Sequence, residues 1–364
     1  MRIVHIVESF AGGVYDFLTD LLNNLTEYEH CIIYGKRKNT PTNFKKDFPL
    51  NTNFIFWRSA VRNINLKQDL KAFFELMNIL RGIKTVDVLH LHSSKAGFLG
   101  RLAAKILGLS DKVVYTSHGA SFLRKDVSEW KLKQFIFLER TAAKFGGKVI
   151  ACSKSEAQEF IKYGINADYI YNGINCKTVN FPNKRKNLKT KSIVIGTIGR
   201  ITYQKNPSMF NKIAQYFLSN SKIKFLWIGD GELRKELCSP NIEVTGWLSR
   251  EEVFSYLDIV DIYFSTSLWE GLPLSVLQAM CKGKPLILSD CVGNRDLVKA
   301  HVNGFLYKEE NEAIKYIRQL IYDTDLRQAL GEESLNIVRN KFSLNEMIVK
   351  YKKLYKSLIP KKED

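Results

Sequence analysis

No apolar run in this chain of 364 residues approaches the ~20 needed to cross a bilayer as a helix. The opening M-R-I-V-H-I-V-E is a short strand pattern broken by His5 and Glu8, so a secretory leader is not expected. The six cysteines are scattered at 31, 152, 176, 238, 281 and 291 with no C-x-x-C pair. Neither a disulfide framework nor a zinc site is therefore expected, and a reducing cytoplasm fits. The acids near the candidate sites form no carboxylate cage, which argues against bound Mg²⁺ or Mn²⁺. No complete dinucleotide fingerprint is present, and no cofactor is implied. No RNP box or zinc finger occurs, so nucleic acid is not an expected partner.

What is present fits a globular α/β protein. The length exceeds one ordinary core, so two domains are expected. Residues 1–182 hold 26 Lys/Arg against 16 Asp/Glu, and residues 183–364 hold 29 against 21, so the net charge of +18 is spread over both halves. Such basicity suits phosphate-bearing substrates or an anionic membrane face, and a lysine-rich proteome would give the same balance. In the first half, basic clusters at 36–38, 45–46, 58–62 and 124–133 alternate with Phe, Trp and Leu. That mix suits a surface lying on anionic lipid, or a plain solvated face.

Short, nearly all-apolar segments recur at 3–7, 30–34, 53–56, 88–91, 113–117, 148–151 and 168–170, with helical periodicity between them. Such strands are buried on both faces, and their alternation with helices predicts a parallel, doubly wound sheet. Residues 183–192, N-K-R-K-N-L-K-T-K-S, are polar and aperiodic and read as a linker. The alternation restarts with strands at 193–199, 225–229, 242–245, 262–265, 285–288 and 304–307. Helices are expected at 207–218, 232–237, 250–257, 273–281, 312–323 and 326–341, with a basic amphipathic segment at 341–359.

Ligands of such sheets bind beyond the carboxyl ends of the strands. After the first strand comes Gly12-Gly13-Val14, a turn that lets backbone approach a ligand, or an ordinary tight turn. His118-Gly119 follows the fifth, where a histidine can meet a polar ligand or simply cap the core. His90 and His92 alternate on one strand and share a face; a metal would need a third ligand. In the second half, a strand runs into Arg200, then Lys205, then Asn206-Pro207 opening a helix. Two cations beside a helix N-terminus suit a diphosphate. Gly229-Asp230-Gly231 is a turn against which a nucleoside could pack. Residues 267–290 carry Glu270 before Gly271 and Pro273, at the mouth of an apolar helix. A carboxylate there caps the helix, or accepts hydrogen bonds from the hydroxyls of a sugar nucleotide.

In order and spacing, these pieces, with Asn172-Gly173-Ile174, resemble the retaining GT-B glycosyltransferases of family 4 over nearly the whole chain. The resemblance implies two Rossmann-like, doubly wound parallel-sheet domains facing an interdomain cleft. It implies an acceptor-binding domain at 1–182, the linker at 183–192, a nucleotide-sugar domain at 193–342, and a basic helix at 343–364 that packs back on the first domain. Glu270 then matches the first acid of an E-x7-E motif on the donor sugar, with Gly271, Leu272, Pro273 and Leu274 supplying backbone to donor and phosphate. Arg200 and Lys205 match the pair on the diphosphate. Gly12 and Gly13 match the N-terminal loop, Gly229 and Asp230 the nucleoside turn, and His118 a histidine lining the reacting sugar.

One position departs from the pattern. Eight residues after Glu270 stands Gln278, where the family has a second acid on the ribose hydroxyls. An amide still accepts a hydrogen bond but lacks charge, so weaker nucleotide binding is expected. The segment from Asp87 to Arg101 is also similar to family members that build bacterial surface polysaccharides, such as lipopolysaccharide or capsule. That similarity implies a glycan or polyprenyl-diphosphate-linked glycan acceptor and a cytoplasmic enzyme, peripheral on the inner membrane face. Two other readings share the fold: a non-hydrolysing sugar-nucleotide epimerase, and an inactive nucleotide-sugar-binding homologue.

Overall fold

The computed structural model describes residues 1–61, 65–176 and 192–359. The chain divides into two compact units. One comprises residues 1–123, 127–172 and 344–364, the other 124–126 and 173–343. Except for Ser192, the linker expected at 183–192 lies outside the described residues.

The first unit is built on β1 (Arg2–Val7), β2 (Glu29–Tyr34), β3 (Thr52–Phe56), β4 (Val88–His92), β5 (Val113–Thr116), β6 (Lys148–Ala151) and β7 (Ala167–Tyr169). Its helices are α1 (Gly13–Asn23), α2 (Leu66–Arg81), α3 (Ser94–Ile106), α4 (Glu129–Ala143) and α5 (Lys154–Lys162). All the strands are parallel, in the order β3-β2-β1-β4-β5-β6-β7. Alternate residues of β1 and β4 point to opposite faces. Val4, Ile6, Leu89 and Leu91 enter one core with α2 and α3. Ile3, Val7 and Val88 enter another with α1.

The second unit repeats the plan with β8 (Ile193–Ile198), β9 (Ile223–Ile228), β10 (Ile242–Val244), β11 (Ile262–Ser265), β12 (Leu286–Ser289) and β13 (Gly304–Tyr307), parallel in the order β10-β9-β8-β11-β12-β13. Its helices are α6 (Pro207–Tyr216), α7 (Arg250–Ile259), α8 (Leu274–Cys281), α9 (Asn294–Leu297), α10 (Glu310–Tyr322) and α11 (Thr324–Lys341). Side chains cap several of them: Asn206 Oδ1 accepts from Met209 N at the start of α6, and Ser249 with Glu252 forms a capping box on α7. The last helix, α12 (Leu344–Lys356), returns to the first unit, where Met347, Ile348, Tyr351 and Tyr355 are buried over the α1 face of the sheet.

Three expectations need correction. The helix expected at 232–237 is only a 3-10 turn at Arg234–Glu236, because Leu233 N is drawn to Ile201 O and Asp230 holds Arg234. Pro273 is the cap of α8 and not its first residue. Cys176 and Cys281 form a disulfide, their Cα atoms 5.2 Å apart and 105 residues apart in sequence. Sequence spacing is blind to such a pair because only the fold brings the end of α8 to residue 176.

Candidate active site

Each sheet reverses its winding direction once, between β1 and β4 in the first unit and between β8 and β11 in the second. Crevices at such switch points are where open parallel sheets bind ligands. In the second unit the segments after β8 and β11 are stitched together there. Thr266 Oγ1 donates to Lys205 O at 2.6 Å, Leu268 N to Gln204 O at 2.8 Å, and Gln204 Nε2 to Trp269 O at 2.8 Å. The result brings Lys205 Nζ to 2.7 Å from Glu270 Oε1, with Gln204 Nε2 3.4 Å from Glu270 Oε2. Burial disfavours the Lys205 ammonium, but the adjoining Glu270 carboxylate, Tyr263 and Cys291 together outweigh it and hold the pKa above the ordinary lysine value. Cys291 reports the same surroundings: burial first, and then the Glu270 carboxylate, push its thiol up to about 12.

Glu270, Gly271, Leu272 and Pro273 are buried in the loop that leads into α8, and Leu274 opens the helix. Gln278 lies one turn further along α8 and is half-buried. Arg200 is exposed immediately after β8 and Gly199. Gly229 follows β9 with φ +137, and a Cβ there would overlap the Gly199 carbonyl, so only glycine lets these two strand ends meet. Asp230 is committed within its turn, accepting from Gly231 N at 2.8 Å and pairing with Arg234 at 2.9 Å.

In the first unit, Gly12 caps α1 with φ +58, and a Cβ on Gly12 or Gly13 would meet nothing within 4 Å. The loop surface there is open to an approaching group. Across the switch point, Ser93 donates to the buried Glu8 carboxylate, whose pKa burial raises. His118 adopts φ +53, a left-handed conformation uncommon outside glycine. The buried Glu156 secures the loop around it: Oε1 accepts from Ser117 Oγ, Gly119 N and Ala120 N at 2.7–2.9 Å. His118 Nε2 lies 3.0 Å from His92 Nδ1, and its Nδ1 lies 3.5 Å from Cys152 Sγ. The third histidine that the sequence could not supply beside His90 and His92 is His5, on the neighbouring β1.

Two family models cover the chain: "Glycosyltransferase Family 4" over residues 11–178 and "Glycosyl transferases group 1" over residues 180–336. An Escherichia coli UDP-Gal:alpha-D-GlcNAc-diphosphoundecaprenol alpha-1,3-galactosyltransferase is 32% identical over 334 residues, covering 85% of this chain and 84% of the relative. The chain belongs to the family 4 glycosyltransferases. It is thus a retaining enzyme that takes a hexosyl or hexosaminyl unit from a nucleotide sugar. A Campylobacter jejuni N,N'-diacetylbacillosaminyl-diphospho-undecaprenol alpha-1,3-N-acetylgalactosaminyltransferase is 26% identical over 377 residues, 96% of this chain and 98% of the relative. The GT-B fold agrees: Anabaena HepE, solved with UDP-glucose, superposes with a TM-score of 0.81 at 18% identity, covering 98% of this chain and all of HepE.

The geometry of this glycosyltransferase adds residues that the sequence reading passed over. Gln204 and Thr266 tie the two loops, and Gly293 packs so closely on the Gly271 carbonyl that a Cβ would overlap it. A signal for Gln204 was present: it directly precedes Lys205 in the Q-K-N-P run whose Asn caps α6. The chain's Asp-x-Asp, Asp323 and Asp325, belongs to the start of α11, where Asp323 accepts from Leu326 N.

Proposed function

We propose that this glycosyltransferase moves a sugar from a UDP-sugar to a polyprenyl-diphosphate-linked glycan in surface polysaccharide assembly. The observation that carries the donor reading is the Lys205–Glu270 pair at the β8/β11 switch point, at the mouth of α8. Without ligand, each group answers the other's charge. With a donor bound, the ammonium turns to the diphosphate, joined by Arg200, and the carboxylate accepts hydrogen bonds from sugar hydroxyls. Backbone N–H groups at the α8 N-terminus add to the anion site. Gln278 takes the ribose hydroxyls, and the Gly229-Asp230 turn packs on the nucleoside. Gly12 and Gly13, with His118, border the reacting sugar in the first unit.

In the transfer, the bond from C1 to the diphosphate oxygen breaks and a bond from C1 to the acceptor oxygen forms on the same face. The acceptor proton passes to the leaving diphosphate. Positioning and charge stabilisation then supply the catalysis, with each well-placed donor group worth roughly 3–4 kcal/mol. Support for the substrates comes from the relatives: the Escherichia coli name specifies UDP-Gal, and both names specify diphosphoundecaprenol-linked acceptors.

The membrane reading rests on two helices. Leu66, Leu70 and Phe74 recur every four residues on the solvent side of α2, and Trp130 and Phe137 do so seven apart on α4. Exposed Lys67, Lys71, Lys131 and Lys133 accompany them. Apolar stripes flanked by lysines suit peripheral contact with an anionic inner leaflet, and no described helix is long and apolar enough to cross a membrane.

A screen of nucleotide sugars by thermal unfolding tests the donor. UDP-hexoses should raise Tm, as a ligand bound only to the native state does. Stabilisation by GDP- or ADP-sugars alone would reject the base.

A further inference from the structure

Five of the chain's six histidines converge inside the first unit. His5 and His30 come from β1 and β2, His90 and His92 from β4, and His118 follows β5. Four of them form one hydrogen-bonded line. His30 Nε2 lies 2.9 Å from Leu25 O, and His30 Nδ1 lies 3.3 Å from His5 Nε2. His5 Nδ1 lies 3.1 Å from His92 Nε2, and His92 Nδ1 lies 3.0 Å from His118 Nε2. Cys152 Sγ closes the far end, 3.5 Å from His118 Nδ1.

The direction of this line follows from one group. A carbonyl oxygen only accepts, so His30 must carry its proton on Nε2, which leaves Nδ1 as an acceptor. His5 must then donate through Nε2, and the same constraint passes to His92 and to His118. His118 Nδ1 is left to accept from the Cys152 thiol. The opposite polarity would set the bare Nε2 lone pair of His30 against the Leu25 carbonyl. All four rings are neutral in this scheme, and burial, the largest influence on each, holds every one of their pKa values down, that of His118 to about 3. Burial also keeps the Cys152 thiol protonated.

We infer that His30, His5 and His92 are positioning residues for His118: their one-way chain fixes it as the neutral Nε2–H tautomer and pins its left-handed backbone. Both ring nitrogens of His118 are consumed within the protein. Phe17 packs edge-on against the ring, with centroids 4.7 Å apart. What His118 offers a ligand is therefore its backbone and ring edge, not an N–H. This inference rests on the proposal that His118 borders the donor sugar.

A metal is the competing use of the cluster. The nitrogens of His5, His90 and His92 fall within 4.8 Å of one another, a span that would suit one ion. All six nitrogens already have partners, however, because His90 bonds Tyr355 Oη at 2.7 Å and Thr116 Oγ1 at 2.9 Å.

Nitrogen-15 NMR of histidine-labelled protein reads the tautomers directly. His30, His5, His92 and His118 should each show protonated Nε2 and bare Nδ1 at pH 7. An Nδ1–H tautomer or an imidazolium at His118, or one equivalent of zinc copurifying and shifting His5, His90 and His92, would overturn the inference. In a His30→Phe variant, His118 should lose its single tautomer. Turnover should fall about 10-fold, with a smaller change in the donor KM. An unchanged His118 signal in folded His30→Phe protein would also overturn it. Saturating UDP-galactose should shift the His118 resonances. If the tautomers hold but bound UDP-galactose moves none of them, the donor-side placement of His118 fails and the chain stands.

Discussion

Glu270 and Lys205 were legible one at a time, as charged residues following the strand ends of a doubly wound sheet. Their contact was not, because it depends on β8 and β11 being neighbours although 63 residues intervene between them. Removing one partner leaves the other charge partly buried and unanswered. Glu270→Ala should therefore lower both turnover, by about 10²–10³-fold, and stability, by about 1–3 kcal/mol, between the values for exposed and buried pairs. Steady-state kinetics and denaturant unfolding check the two effects separately. Glu270→Gln keeps the shape and should recover part of the stability but little of the turnover. Gln278 invites the reverse test. Gln278→Glu restores an acid on α8, and a charged acceptor gains about 1 kcal/mol over a neutral one. Calorimetry should show UDP bound about five-fold more tightly, and an unchanged Kd would place the ribose elsewhere.

At the scale of elements, apolar runs broken by turn residues gave all thirteen described strands to within two residues at either end. Parallel strands buried on both faces announce themselves by composition alone. Shorter features were hidden. The 3-10 turn at Arg234–Glu236 has enough helical character in sequence to pass for a helix, and the four-residue α9 is too short for any period to register. The exposed stripes of α2 and α4 belong to this scale too, since α3 packs against both helices and sets them in one layer. Replacing Trp130 and Phe137 together by Ser should weaken sedimentation with phosphatidylglycerol vesicles several-fold. Turnover on a water-soluble acceptor analogue should stay unchanged. Equal binding of the unaltered protein to neutral and anionic vesicles would remove the electrostatic part of the reading.

The whole molecule carries consequences that no single element does. The histidine cluster was half visible, since alternation on β4 put His90 and His92 on one face. His5 and His30 joined only through the β4-β1-β2 order, which is a non-local pairing. Buried histidines with lowered folded-state pKa values resist proton uptake. The stability they confer is complete above the unfolded pKa of ~6.5 and is lost as pH falls below it. Glu8 and Glu156, raised by burial, act in the opposite sense, but they are two groups set against the larger number of buried histidines. Tm should therefore drop between pH 6.5 and 5, and a flat Tm across that interval would contradict the neutral cluster. The Cys176–Cys281 bond likewise escaped the sequence, which shows spacing and not proximity. The central claim, a retaining transfer from a nucleotide sugar, is tested most directly by the product. Purified protein, a UDP-hexose and a diphosphopolyprenyl-linked sugar should release UDP only when the acceptor is present, and proton NMR should show the new linkage in the α configuration of the donor. A β-linked product, or turnover of the donor that ignores the acceptor, would contradict it.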